Sequence, residues 1–232
     1  MIPPNRLIDS IWRTSQQLVR QVFGIVRDSL REFWSSVDAE DPMMMNMVEI
    51  LGPVEGWRDT MVPYVLHGDG AKFAEKNQQH IMSVQWKPAL FVREVFDTWF
   101  VIWTHVKSAT VHDRENANEN ACGRFWKYTV HFLNACFDGY HPALGPWGEA
   151  WAQGTDDANV AGSEMCGGYR FVCWCIMGDL DYLSNDLQFP HYGANRPCWF
   201  CSRGREEDSS FPMHDFPGMQ HGGTRCYLLK RA

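Results

Sequence analysis

Apolar residues recur about every 3.6 positions over residues 6–35, at Ile8, Ile11, Leu18, Val22, Ile25, Val26, Leu30 and Phe33, and this spacing predicts one long helix. Arg6, Arg13, Arg20 and Arg27 repeat every seven positions and would form a slowly drifting stripe on its polar face. Such a stripe is either an ordinary solvated face or one that tracks phosphates. Asp41 and Pro42 break the pattern, and the methionine run at 43–47 suits gap-filling core or a connector. From there the chain reads as strand-rich. Residues 62–68, 80–86 and a stretch within 95–106 carry short, β-branched and aromatic apolar runs. Residues 108–121 are polar and predict a surface loop or helix start. Residues 123–138 suit a helix, with Phe125, Trp126, Thr129, Phe132, Leu133, Cys136 and Phe137 on one broad face. The Gly-, Pro- and Asp-rich stretch 138–168 predicts a long irregular loop. Residues 169–177 form the strongest strand pattern, and 180–187 suit a short helix stopped before Pro190.

Two of these runs end in an aspartate. The first closes with His67-Gly68-Asp69-Gly70, the second with Gly178-Asp179-Leu180-Asp181. A carboxylate at the end of a buried strand is held rigidly and still meets solvent, which suits a divalent cation such as Mg²⁺ or Mn²⁺. Two carboxylates from neighbouring strands could share cations that cut a phosphodiester. The glycines beside Asp69 permit a sharp turn and close approach of a ligand, but Gly-Asp-Gly is equally ordinary turn chemistry. Asp181 suits a helix cap and Asp186 a solvent-facing position, so Asp69 and Asp179 are the candidate pair. His67 is close to Asp69 in sequence. Cys173 and Cys175 share one face at period two and read as buried apolar side chains rather than ligands.

The composition changes this picture in a few respects. The 232 residues are 45% hydrophobic with 11 tryptophans, enough for a sizeable core, and the net charge of −7 argues against a nonspecific nucleic-acid coat. The ends are nonetheless basic: residues 1–35 hold five Arg against three acids and residues 196–232 six basic against four acidic residues. That leaves an acidic middle, compatible with a metal site flanked by phosphate-binding surfaces and with an ordinary soluble protein. No stretch has the character of a signal peptide or a membrane span, and eight cysteines without a signal predict reduced thiols in an intracellular protein. Cys198 and Cys201 form a CxxC, whose two-residue spacer can aim both sulfurs at one Zn²⁺; His191 before it, or His214, His221 and Cys226 after it, could complete the site. The alternative is a pair of buried thiols. P-loop, GxGxxG, GxSxG and HExxH patterns are missing.

The segments 62–70, 178–187 and 189–201 together resemble a family of multicopy open reading frames from dinoflagellate-type protists. They are similar to cut-and-paste, DDE-type transposases with a ribonuclease-H-like core. The resemblance implies an α/β fold with a mixed sheet in which the first and fourth strands are neighbours and each carries one catalytic acid. It implies that Asp69 and Asp179 are those acids, with Cys198 and Cys201 in a Cys/His-containing insertion. DNA would be the partner of an intact relative, which places such a protein in the nucleus. The expected organisation is an N-terminal helical extension (1–47), a ribonuclease-H-like core (48–190) and a Cys/His-containing tail (191–232). A third acid should follow a fifth strand, whereas Glu206, Glu207, Asp208 and Asp215 stand in a Gly- and Pro-rich tail. The expectation is therefore an incomplete core, inactive alone. The rival expectation is a non-catalytic protein that binds nucleic acid or a partner through loop aromatics such as Trp147, Trp151 and Trp199.

Overall fold

Pro4 opens the first helix, α1 (Pro4–Thr14), at a position where a missing N–H costs nothing. The computed structural model describes residues 3–25, 28–52, 56–74, 79–90, 100–106 and 121–178. The single helix predicted over 6–35 is three: α1, α2 (Gln16–Val22) and α3 (Ser29–Ser36). Two local features break it. Ser15 is extended (φ −160°) and its Oγ accepts the Leu18 N–H at 3.1 Å, capping α2. Gly24 then takes φ 65°, which ends the helix in a left-handed turn. The arginine stripe is broken with it. Arg6 pairs with Asp156 at 3.2 Å and Arg13 with Asp9 at 2.7 Å, while Arg27 lies outside the described residues.

The methionine run lies in α4 (Pro42–Leu51), capped by Asp41, whose carboxylate accepts from the Met43 N–H at 2.8 Å. Met43, Met44 and Met47 are buried, as gap-filling core residues, and Met45 faces out. A short α5 (Trp57–Thr60) leads into the sheet.

The sheet has four strands: β1 (Met61–Ala74), β2 (Gln79–Pro88), β3 (Phe100–Val106) and β4 (Arg170–Gly178). Their order is β3-β2-β1-β4, with β1 antiparallel to β2, β2 antiparallel to β3, and β1 parallel to β4. Between β3 and β4 run α6 (Ala121–Asp138), a short α7 (Asp156–Val160) and a 3-10 turn at Cys166–Gly168. The stretch expected to be one irregular loop thus holds two short helical pieces and a bridge between Tyr140 and Glu164.

Met61 to Leu66 are buried without interruption, because β1 is central and both its faces are covered. On the face of Tyr64, Phe23 packs against Trp86 and Phe171, with ring centroids 5.2 and 5.1 Å apart, and α6 stacks Phe125 on Trp103 at 3.9 Å. On the other face α3 packs Phe33 and Trp34 against Trp174, at 5.7 and 5.4 Å, and the Trp34 indole N–H donates to the Met61 carbonyl at 2.9 Å. The result is a mixed α/β fold with helices flanking a mixed four-stranded sheet. Among the described residues no helix is long and apolar enough to cross a membrane.

The register of β4 against β1 shifts by one residue at Trp174. Cys173 pairs with Tyr64 and Cys175 with Val65, consecutive residues that point to opposite faces, so the two cysteines do not share a face as their spacing predicts. The extra residue, Trp174, turns its indole onto α3. Cys175 is buried, and burial pushes the Cys173 thiol up from its ordinary value; neither cysteine forms a disulfide among the described residues.

Candidate functional site

The apolar run of β1 gives way to polar residues beyond Leu66, and this is where the candidate aspartate sits. Asp69 is exposed and lies inside β1 rather than at its end, opposite Ser83 of β2. β1 runs on to Ala74 because it keeps pairing with β2 after its pairing with β4 has stopped. Alternation places His67 on the same face as Asp69, and the register adds Gln85 opposite His67 and Thr104 opposite Ser83. A polar patch of His67, Asp69, Ser83, Gln85 and Thr104 therefore occupies one end of this sheet face, with Lys87 next along β2. The Ser83 hydroxyl donates to the Asp69 carbonyl at 3.5 Å and the Gln85 amide donates to the Ser83 hydroxyl at 3.1 Å. These bonds brace the backbone around Asp69 and leave its carboxylate without a basic partner among the described residues.

The pairing of β1 with β4 ends at Gly68 opposite Gly178. Each glycine is followed directly by one of the two candidate aspartates. This depends on the bulge at Trp174: with the register of Tyr64 and Cys173 continued unshifted, Gly68 would stand opposite Met177. Asp179 itself lies outside the described residues, as do Asp181, Asp186, the helix expected at 180–187, and the candidate zinc ligands His191, Cys198 and Cys201. Among the described residues no group of three or more His, Cys, Asp or Glu is placed to hold a metal ion. Asp69 on its own offers one open carboxylate, the donor a hard divalent cation takes.

A second polar cluster escaped the sequence reading. His141, buried, lies with Nε2 3.1 Å from Asp9 Oδ2 and Nδ1 3.2 Å from the Asn5 side-chain amide. With the amide donating to Nδ1, Nε2 carries the proton and donates to the carboxylate. Asp9 also accepts from Arg13 and from the Cys166 N–H at 3.3 Å. The cluster ties α1 to the Cys166–Gly168 turn that starts β4. Asp9 and His141 are 132 residues apart, and no local pattern could have paired them.

Of the loop aromatics, Trp151 is half-buried; its indole N–H donates to the Pro142 carbonyl at 2.9 Å and its ring stacks on Phe132. Trp147 is exposed, and Trp199 lies outside the described residues. No family model, curated protein or solved structure matches the chain.

Proposed function

We propose that the Asp69 end of the sheet belongs to a divalent-cation site for phosphodiester cleavage or strand transfer, in a core of the ribonuclease-H-like type. The observation that carries this reading is the pairing of Gly68 with Gly178, one residue before each candidate acid, on parallel strands. Adjacent strands lie about 4.8 Å apart, so acids one residue beyond a paired position are candidates to share an ion. The order β3-β2-β1-β4, which makes the first and fourth strands neighbours, supports the same reading. So does the location, since open α/β sheets bind ligands beyond the carboxyl ends of their parallel strands.

Asp69 and Asp179 would hold Mg²⁺ or Mn²⁺. Such cations supply positive charge for the attacking and leaving oxygens of a phosphodiester. The chain's own residues position that chemistry: β2 braces β1 at Asp69 through Ser83, and on the opposite face Gly70 leaves room for Met82, whose Sδ a Cβ there would meet at 2.8 Å.

Mn²⁺ titrated into the full chain, with free Mn²⁺ read by electron paramagnetic resonance, tests the site. Loss of a direct ligand is expected to cost at least what loss of an outer-shell partner costs, about 10–100-fold in metal affinity. Asp69→Asn and Asp179→Asn should each weaken binding on that order. Because Asp69 is exposed, Asp69→Asn should leave the thermal melt where it was. Wild-type affinity in both variants would rule out a shared site.

A further inference from the structure

Trp147 projects from the loop after α6 with 49% of its surface exposed, and it is not loose. Its N–H donates to Glu149 Oε2 at 2.8 Å, and the loop closes on itself through Gly145 N–H to the Glu149 carbonyl and Gly148 N–H to the Gly145 carbonyl, at 2.8 and 2.9 Å. Gly148 takes φ 84°, a conformation that suits glycine. His131 Nε2 lies 3.0 Å from the Leu144 carbonyl and holds the loop to α6. A large apolar ring is thus presented to solvent on a fixed base.

Two cations from α6 lie over that ring. The Arg124 guanidinium and the Lys127 ammonium, three residues apart on α6, lie 5.8 and 5.9 Å from its centroid. Both side chains are exposed, and neither has an acidic partner among the described residues. The Tyr128 ring stands 6.4 Å from the indole. The nearby acids are otherwise engaged: Glu149 holds the Trp147 N–H, and Asp156 and Asp157 face Arg6 at 3.2 and 3.8 Å. In a chain of net charge −7, this corner sets two cations, neither in a direct ion pair among the described residues, beside an exposed aromatic ring.

From this geometry we infer that Arg124, Lys127 and Trp147 form a contact platform for single-stranded nucleic acid. The indole stacks on an unpaired base and the two cations meet the phosphates on either side of it. An acidic peptide would use the charges but not the ring, and a duplex keeps its base faces stacked away from a side chain. The helix that carries the platform covers the opposite face of the sheet from Asp69, near the same level along the strands. Phe125, beside Arg124, stacks on Trp103, which is level through Val84 with Gly68, two strands or about 10 Å away. The inference rests on the phosphodiester reading only in taking the same class of ligand.

Fluorescence anisotropy of a labelled thymidine oligonucleotide, with the full chain in EDTA, tests it. Wild-type chain should bind, and Trp147→Ala should weaken binding by about tenfold or more, with Trp147→Phe retaining most of the affinity. The double variant Arg124→Gln/Lys127→Gln should reduce the slope of log K against log salt by about 1.4, the value for two single-strand phosphate contacts. Trp147→Ala, titrated with Mn²⁺ as above, should take up the cation like wild type, so failure of the metal site and failure of the platform are separate results. Unchanged affinity in Trp147→Ala would overturn the inference. So would equal affinity for a duplex of the same sequence, or displacement by polyglutamate as effective as by unlabelled oligonucleotide.

Discussion

Asp9 and His141 set the sharpest contrast between side chains of similar chemistry. Asp9 is buried, and of its partners only Arg13 reaches solvent. Arg13→Ala leaves the carboxylate with His141 and the Cys166 N–H, and should cost roughly 1 kcal/mol, the upper end for an exposed ion pair. His141→Ala leaves Asp9 with Arg13 and the Cys166 N–H, but it leaves the Asn5 amide unpaired in the interior and opens a cavity, and should cost about 2–4 kcal/mol. Urea denaturation of the two variants measures the difference, and equal losses would mean that the buried histidine adds nothing beyond packing. Asn5 Oδ1 is itself buried and accepts no hydrogen bond among the described residues, so the cluster is not fully satisfied even in the intact protein. Sequence could nominate Asp69 because a Gly-Asp-Gly after an apolar run is a local pattern. It could not nominate Asp9 or His141, whose meaning comes from a contact across most of the chain.

Among the elements, the breaks decide more than the runs. The periodicity of residues 6–35 holds at Ile8, Ile25 and Leu30, which are buried, but fails at Leu18, which is exposed while Val19 is buried, and it is spread over three helices. Ser15 holds the first break through its bond to the Leu18 N–H. Ser15→Ala should therefore lower stability by about 1 kcal/mol, read from the denaturation midpoint, and leave Mn²⁺ binding unchanged. The Trp174 bulge is the other decisive interruption. A regular β4 would turn the side chains beyond Trp174 to the opposite faces, set Gly68 against Met177 and move the two candidate acids one residue out of step. The indole of Trp174, packed between Phe33 and Trp34, gives the extra residue a place to go.

The molecule as a whole carries several ionisable groups that folding keeps neutral. Burial pushes the thiols of Cys136, Cys166 and Cys173 and the phenol of Tyr64 up from ordinary values of 9.0 and 10.0. In the unfolded chain these groups lose protons at their ordinary values, while the folded chain retains them. Their contribution to stability is therefore complete below about pH 9 and lost as pH rises beyond it. The urea midpoint should stay level through neutral pH and fall on the alkaline side of pH 9, and Cys136→Ala should make that fall shallower. A midpoint that held steady to high pH would show that these groups ionise in place. The same interior makes the flanking helices and sheet one packed unit: Phe23 and Trp34, from the N-terminal segments, sit against opposite faces of the sheet.

Strand and helix positions were readable along the chain. β2, β3, β4 and α6 lie within a few residues of where apolar runs and turn residues put them, and β1 was read correctly at its start. Those features follow from short-range rules: the period of side-chain directions, the sterics of glycine and proline, and the enrichment of β-branched and aromatic residues in strands. The outer end of β1, the division of the first helix, the one-residue shift at Trp174, the Asp9–His141 contact and the placing of Trp147 under Arg124 and Lys127 were not readable. Each depends on which distant segment arrives beside a residue, and local periodicity is almost indifferent to that choice. The free energy that fixes it comes from burying indoles against particular neighbours and from satisfying polar groups that burial has cut off from water.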